Sequence, residues 1–176
     1  VYKASKPAAV KMASIRNNAE GVYLTWNKVS NATGYRIYKK TGSESYKLLT
    51  TVNTTSFTDT AVVSGTSYAY YVVAVQNSTL GEINQNGLSI VFVATPQIAS
   101  LTETWDGISV RWGAVGNAQK YRVYRRVNGS AYQLLATVTG LSYVDKTAPS
   151  GQTCGYAIRA LRGSTLSSYS HKDIST

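Results

Sequence analysis

The chain repeats itself. Laid against itself at a shift of 86 positions, residues 13–80 fall on residues 99–166 without a gap, and roughly a third of the pairs are identical. A register kept over so long a span limits the fold before any other property is read. The 176 residues must close as two similar units of about 85 residues, each large enough for a core of its own. TGYRIYKK at Thr33–Lys40 becomes QKYRVYRR at Gln119–Arg126, and Trp26 falls on Trp112. The seam is GLSIVFVA followed by Thr95-Pro96-Gln97, which sets the units at 1–95 and 96–176. Pro96 fixes its own φ and biases Thr95 to an extended shape. With so few residues and no Gly-Ser stretch, the join should be semi-rigid and the units end to end.

Within a unit the hydrophobic period is two. Val22, Leu24 and Trp26 share one face of GVYLTW, and Ile108, Val110 and Trp112 share one face of GISVRW. GYRIY puts Tyr35 and Ile37 on one side and Arg36, Tyr38 and, further on, Lys40 on the other. SYAYYVVAV puts Tyr68, Tyr70, Val72 and Ala74 together. Short alternating runs separated by Asn, Gly, Ser and Thr predict an antiparallel sandwich of about seven strands per unit. In the first unit these fall near 10–15, 21–27, 34–40, 46–52, 55–58, 67–76 and 87–94. Composition agrees: 14 Tyr, 1 Met and 3 Pro suit pleated, half-buried surfaces. Trp26, Tyr35, Tyr68 and Tyr70, with Trp112, Tyr121 and Tyr156, are the expected core, and both indoles are expected to stand between the sheets.

The order of these residues resembles the fibronectin type III module. A second-strand Trp is followed by Tyr-x-hydrophobic-Tyr-basic-basic. Then come Ser-aromatic-x-Asp (SFTD, SYVD) and Ser-Gly-x-x-x-x-Tyr-x-hydrophobic-x-Ala. Stretches similar to WNKVSNATGYRIYKK and RGSTLSSYS recur in Gram-positive, Clostridium-like surface and secreted proteins. The resemblance implies an all-β chain of two immunoglobulin-like, seven-stranded sandwiches in tandem. It also implies a tyrosine at the start of the sixth strand whose hydroxyl ties back to the chain. Tyr68 would fill that place in the first unit, whereas Cys154 stands there in the second and cannot make the bond. Cys154→Tyr should then stabilise the second unit.

Catalytic chemistry is not in view. A single Cys excludes an internal disulfide and a thiolate metal cluster within this chain. His171, the one imidazole, lies in the last strand, expected to fray, and is poorly placed for a Ser-His-Asp relay. Asp59 and Asp145 are equivalent positions of different units, suited to local hydrogen bonding at turns rather than to a shared glycosidic bond. No phosphate loop, metal cluster or Ca²⁺ loop appears. The chain is expected to be no enzyme and to need no cofactor.

The net charge of +10 divides evenly, nine Lys or Arg against four acids in each unit, so basicity belongs to the repeat. Arg36 and Lys40, and Arg122 and Arg126, flank Tyr38 and Tyr124 on outward positions; Arg159 faces the same way as Arg122. Such groups suit an anionic cell-wall or host glycan or an acidic protein, while also blocking edge aggregation. No nucleic-acid module is present. Trp105 sits in a turn where the first unit has Ala19, and GEINQNG after Leu80, expected to join the last two strands, has no counterpart in the second unit. No run reaches membrane-spanning length. The opening VYKASKPAAV lacks a signal peptide's apolar centre, and the chain reads as an excerpt of a longer one. The expectation is an extracellular or cell-surface spacer that docks other domains of the same polypeptide, with a carbohydrate-binding or adhesion unit, or an accessory to a polysaccharide-degrading enzyme, as the alternatives.

Overall fold

The structure is a computed structural model in which residues 6–175 are described. The chain divides into two compact units, each built only of strands among the described residues. In the first unit β1 (Met12–Asn17), β2 (Val22–Trp26) and β5 (Ser56–Asp59) form a sheet in the order β1-β2-β5. β3 (Gly34–Thr41), β4 (Lys47–Val52), β6 (Ser67–Gln76), β7 (Thr79–Leu80) and β8 (Leu88–Val91) form the other. Its order is β4-β3-β6-β7, with β8 also on β6, and the mapped pairs are antiparallel.

The second unit repeats this with β9 (Ile98–Thr104), β10 (Gly107–Trp112) and β13 (Ser142–Asp145) on one side. On the other are β11 (Lys120–Val127), β12 (Gln133–Val138), β14 (Thr153–Arg162), β15 (Thr165–Leu166) and β16 (Ser170–Ser175). Even the irregularities recur. A bulge falls between Ile37 and Tyr38 and again between Val123 and Tyr124. Positive φ angles match at the same shift at Asn31 and Asn117, Gly42 and Asn128, Gly65 and Gly151, and Asn77 and Gly163. Only Gly and Asn occupy these sites, because they enter the left-handed region at little cost.

Alternation explains the core. Val22, Leu24 and Trp26 are buried while Tyr23 and Thr25 are half-buried. Trp26 meets Tyr35 of the opposite sheet edge-on at 5.6 Å, and Trp112 meets Tyr121 at 5.7 Å. These two pairs join the sheets. Both indoles are 3% exposed, and neither N–H finds an acceptor, so their hold is apolar burial and packing. The hydroxyls of Tyr35 and Tyr121 accept from the amides of Val29 and Val115. That ties the turn before the third strand in the same way in both units.

The last strand departs from expectation. GEINQNG does not join the last two strands. The hairpin turns at Asn77-Ser78, and β7 pairs at once with the end of β6. Residues 81–87 then interrupt the last strand before β8 resumes at Tyr70↔Leu88. From Leu80 to Leu88 the strand advances eight residues while its partner, from Val75 to Tyr70, advances five. In the second unit the same break, from Leu166 to Ser170, sets four residues against three. β16, the strand that carries His171, is paired with β14 along its whole length.

Candidate functional site

Lys39 and Arg125 continue the inward rows of Tyr35 and Ile37, and of Tyr121 and Val123. A cation there requires an acid. Lys39 Nζ lies 2.6 Å from Asp59 Oδ2, and Arg125 Nη1 lies 2.8 Å from Asp145 Oδ2. Both carboxylates are buried. Each also takes a hydroxyl at 2.7 Å, from Tyr70 and from Tyr156. Asp59 Oδ1 accepts the Ala61 amide, and Asp145 Oδ1 the Thr147 amide, each at 3.0 Å. Burial alone would push the Asp145 carboxyl up, but donors from Tyr156, Thr147 and Arg125 outweigh it and hold it below its ordinary value. Burial and the neighbouring carboxylates push the Tyr70 and Tyr156 hydroxyls up.

The aspartates thus do more than local turn bonding. In each unit a sixth-strand hydroxyl, that of Tyr70 or of Tyr156, is tied to the buried aspartate, so the second unit holds this tie although Cys154 stands at the place of Tyr68. The signal lay in the alternation, which places a basic residue on the core face at the same offset from an aspartate in each copy. Cys154, fully buried beside these groups, has its thiol pushed up by burial, which leaves it a poor nucleophile.

The outward face of the larger sheet is a second aromatic layer rather than a polar surface. In the first unit Tyr71, Val73 and Val75 on the outer side of β6 are buried. Tyr38 stacks on Tyr71 at 4.7 Å and 6°, and Tyr46 meets Tyr71 edge-on at 4.7 Å. Gln85, from the segment that interrupts the last strand, hydrogen-bonds Tyr71. Lys40 Nζ stands 5.3 Å from the Tyr46 ring centre, and Arg36 is half-buried beside this layer.

In the second unit Ala157 replaces Tyr71, and the missing ring comes from elsewhere. Tyr169, between β15 and β16, packs edge-on against Tyr124 at 5.1 Å and stacks on Tyr132 at 5.9 Å. Tyr124 is thus buried rather than standing between basic residues in solvent. Arg126 lies over Tyr132 at 5.0 Å and is neutralised by Asp173 through two bonds of 3.1 and 2.9 Å. Arg159 lies over Tyr169 at 4.6 Å. Leu48 and Leu134, equivalent on the edge strands, are both 51% exposed. Each unit therefore presents tyrosine, one bare leucine and cations on the same face, and of these tyrosine and arginine are enriched in the centres of binding surfaces.

Trp105 is 97% exposed at the tip of the β9–β10 hairpin. The tip is held by a Thr104 Oγ1 bond of 2.8 Å to the Gly107 carbonyl and by a 2.6 Å ion pair between Asp106 and Lys146. Beside the indole an open depression of about 310 Å³ is lined by Glu103, Thr104, Ile108, Ala148, Pro149 and Ser150. Another, of about 420 Å³, lies among Lys6, Lys11, Asn27, Lys28 and Asn31. Among the described residues no group of three or more His, Cys, Asp or Glu is placed to hold a metal ion, and no helix is long and apolar enough to cross a membrane.

Two facing antiparallel sheets, ordered first-second-fifth and fourth-third-sixth-last, define the class as immunoglobulin-like β-sandwiches. The particular fold is that of tandem fibronectin type III domains. No family model matches the chain. Over 98% of its length it is similar to all of a two-domain fibronectin type III segment from chicken tenascin, at 19% identity and a TM-score of 0.46. It is likewise similar to 68% of a chain comprising the chicken CNTN1 FN1-FN3 domains, at 19% identity and a TM-score of 0.43. Among curated proteins, 75 residues are 35% identical to part of a poly(3-hydroxybutyrate) depolymerase of Ralstonia pickettii, covering 43% of this chain and 14% of the enzyme. A stretch of 92 residues is 36% identical to part of an amylopullulanase of Thermoanaerobacterium saccharolyticum, covering 48% of this chain and 7% of that enzyme. The chain thus spans a seventh or less of these relatives.

Proposed function

We propose that the chain is a non-catalytic pair of modules, 1–95 and 96–176, from an extracellular or cell-surface protein. It spaces that protein's other domains and contacts polymers or acidic partners through its outer faces. One observation carries the reading: both units build a tyrosine-leucine-cation layer on the same outer face, although the third ring comes from Tyr71 in one and Tyr169 in the other. Stretches similar to parts of a depolymerase and an amylopullulanase support a place beside polymer-acting domains. The test incubates the chain with poly(3-hydroxybutyrate) and with pullulan, following release of 3-hydroxybutyrate and of reducing ends. None is expected; turnover of either polymer overturns the reading.

Trp105 favours a second reading, a dedicated carbohydrate-binding unit. A bare indole at a braced hairpin tip suits stacking against a sugar ring. Co-sedimentation with insoluble glucan that survives moderate salt and is abolished by Trp105→Ala supports this; retention unaffected by the substitution rules it out.

A further inference from the structure

The second unit sets two arginines opposite one another across neighbouring strands, neither of them paired with an acid among the described residues. Arg122 on β11 and Arg159 on β14 are cross-strand partners in register, so their side chains leave the same face of the sheet. Like charges directly opposite are destabilising. The first unit avoids the conflict, because Arg36 pairs with Val73 there. Among the described residues neither Arg122 nor Arg159 forms an ion pair, whereas Arg125 and Arg126 each do.

The two arginines are also prepared in different ways. Arg159 is fixed: its Nε donates to the Ser167 carbonyl at 2.6 Å, and its guanidinium lies over the Tyr169 ring. Arg122 is incomplete: its Nε is buried and has no acceptor. A buried charged donor left unpaired is costly, and an anion at the exposed part of this half-buried guanidinium offsets that cost. Tyr169, 44% exposed and held between Tyr132 and Arg159, leaves part of its ring at the surface beside them.

We propose that Arg122 and Arg159 form a site for a sulfate or phosphate group carried on a polysaccharide. Guanidinium forks match the oxygens of an oxyanion, and one such group between them turns mutual repulsion into two charge-assisted contacts. Tyr169 beside the site holds the Arg159 guanidinium in place through its ring and puts an exposed aromatic edge next to the sugar that bears the anion. The inference rests on the module reading above and deepens it by naming the ligand class.

The experiment is retention on immobilised dextran sulfate. The parent chain is expected to bind at low salt and to weaken steeply as salt rises, as polyanion contacts do. Arg122→Gln and Arg159→Val are each expected to lower affinity about tenfold or more, the weight of a lost charged contact. Arg111→Gln and Lys120→Gln, exposed cations of the same unit, should change it by less than about twofold. Arg159→Val places in the second unit the residue the first already carries and should melt no lower than the parent, which separates lost binding from lost folding. Inorganic sulfate or phosphate should elute the chain at an ionic strength where chloride does not. Equal losses from all four substitutions, elution governed by ionic strength alone, or no retention at low salt would each overturn the site. Equal retention on polyglutamate overturns the polysaccharide assignment in favour of an acidic protein. The module reading fails by a different result, turnover of polymer by the parent chain.

Discussion

Lys39 lies over Tyr68, its Nζ 4.5 Å from the ring centre, while reaching Asp59 at 2.6 Å. In the second unit the same two places hold Arg125 and Cys154. The larger cation goes with the smaller neighbour, and both arrangements bring the cation to the buried carboxylate. The exchange is therefore a matched repacking. Cys154→Tyr adds a ring where Arg125 already fills the space, and overpacking of this kind costs about 1–3 kcal/mol. The expected outcome in urea is a lower midpoint for the second unit, the reverse of the stabilisation that the sequence suggests. Adding Arg125→Lys should recover most of the loss. A higher midpoint for the single variant, or simple additivity of the two, sinks the matched-pair account.

Tyr70 and Tyr156 bond to Asp59 and Asp145 at the same 2.7 Å. Tyr70→Phe and Tyr156→Phe keep the ring and remove only the donor, leaving a buried carboxylate short of one bond. Hydrogen bonds to charged groups are worth about 1.5–3 kcal/mol, and each variant should lose that much stability in its own unit. The check is a pair of denaturant titrations; an effect in one unit and none in the other contradicts the equivalence of the two triads.

Acid should undo the second triad. The Asp145 carboxyl is held below its ordinary value of 3.8 in the fold, so over that window the unfolded chain binds more protons than the folded one. Stability linked to Asp145 is then fully present above the ordinary value and is lost as pH falls through the depressed one. Melting temperature of the second unit should drop on acidification below the ordinary value, and Asp145→Asn should flatten that slope. A slope unchanged by the substitution removes Asp145 as its source.

The repeat and its period of two made the sandwich legible: residues that must alternate can bury only one face, and Trp26, Tyr35, Tyr70 and their counterparts lie buried. The site was less legible, for physical reasons. Tyr68 and Tyr70 both face inward, and alternation alone does not say which hydroxyl comes within reach of Asp59. Tyr169 lies beyond the gapless repeat, so nothing in the alignment says it supplies the ring that Tyr71 supplies in the first unit. On the outer face Lys and Arg at alternate positions point to an outward surface and give no sign of a covering layer. The chain that covers it comes from breaks in the last strand, which lie beyond the gapless repeat and differ in length although the two hairpins close in the same register.

The three tryptophans separate core from surface within one measurement. Trp26 and Trp112 are each 3% exposed, whereas Trp105 is 97% exposed. Large-to-small substitution of a buried indole costs about 3–5 kcal/mol, enough to unfold a unit of marginal stability. Trp26→Ala should abolish the transition of the first unit and Trp112→Ala that of the second. Trp105→Ala should move neither by more than about 0.5 kcal/mol. Because Trp105 is the one open to solvent, its loss should also remove the component of fluorescence most readily quenched by acrylamide. The buried pair would remain protected until each unit melts. A Trp105→Ala chain that melts well below its parent, or a Trp26→Ala chain that keeps both transitions, contradicts this division between the indoles that hold the sandwiches closed and the one that is free to meet a ligand.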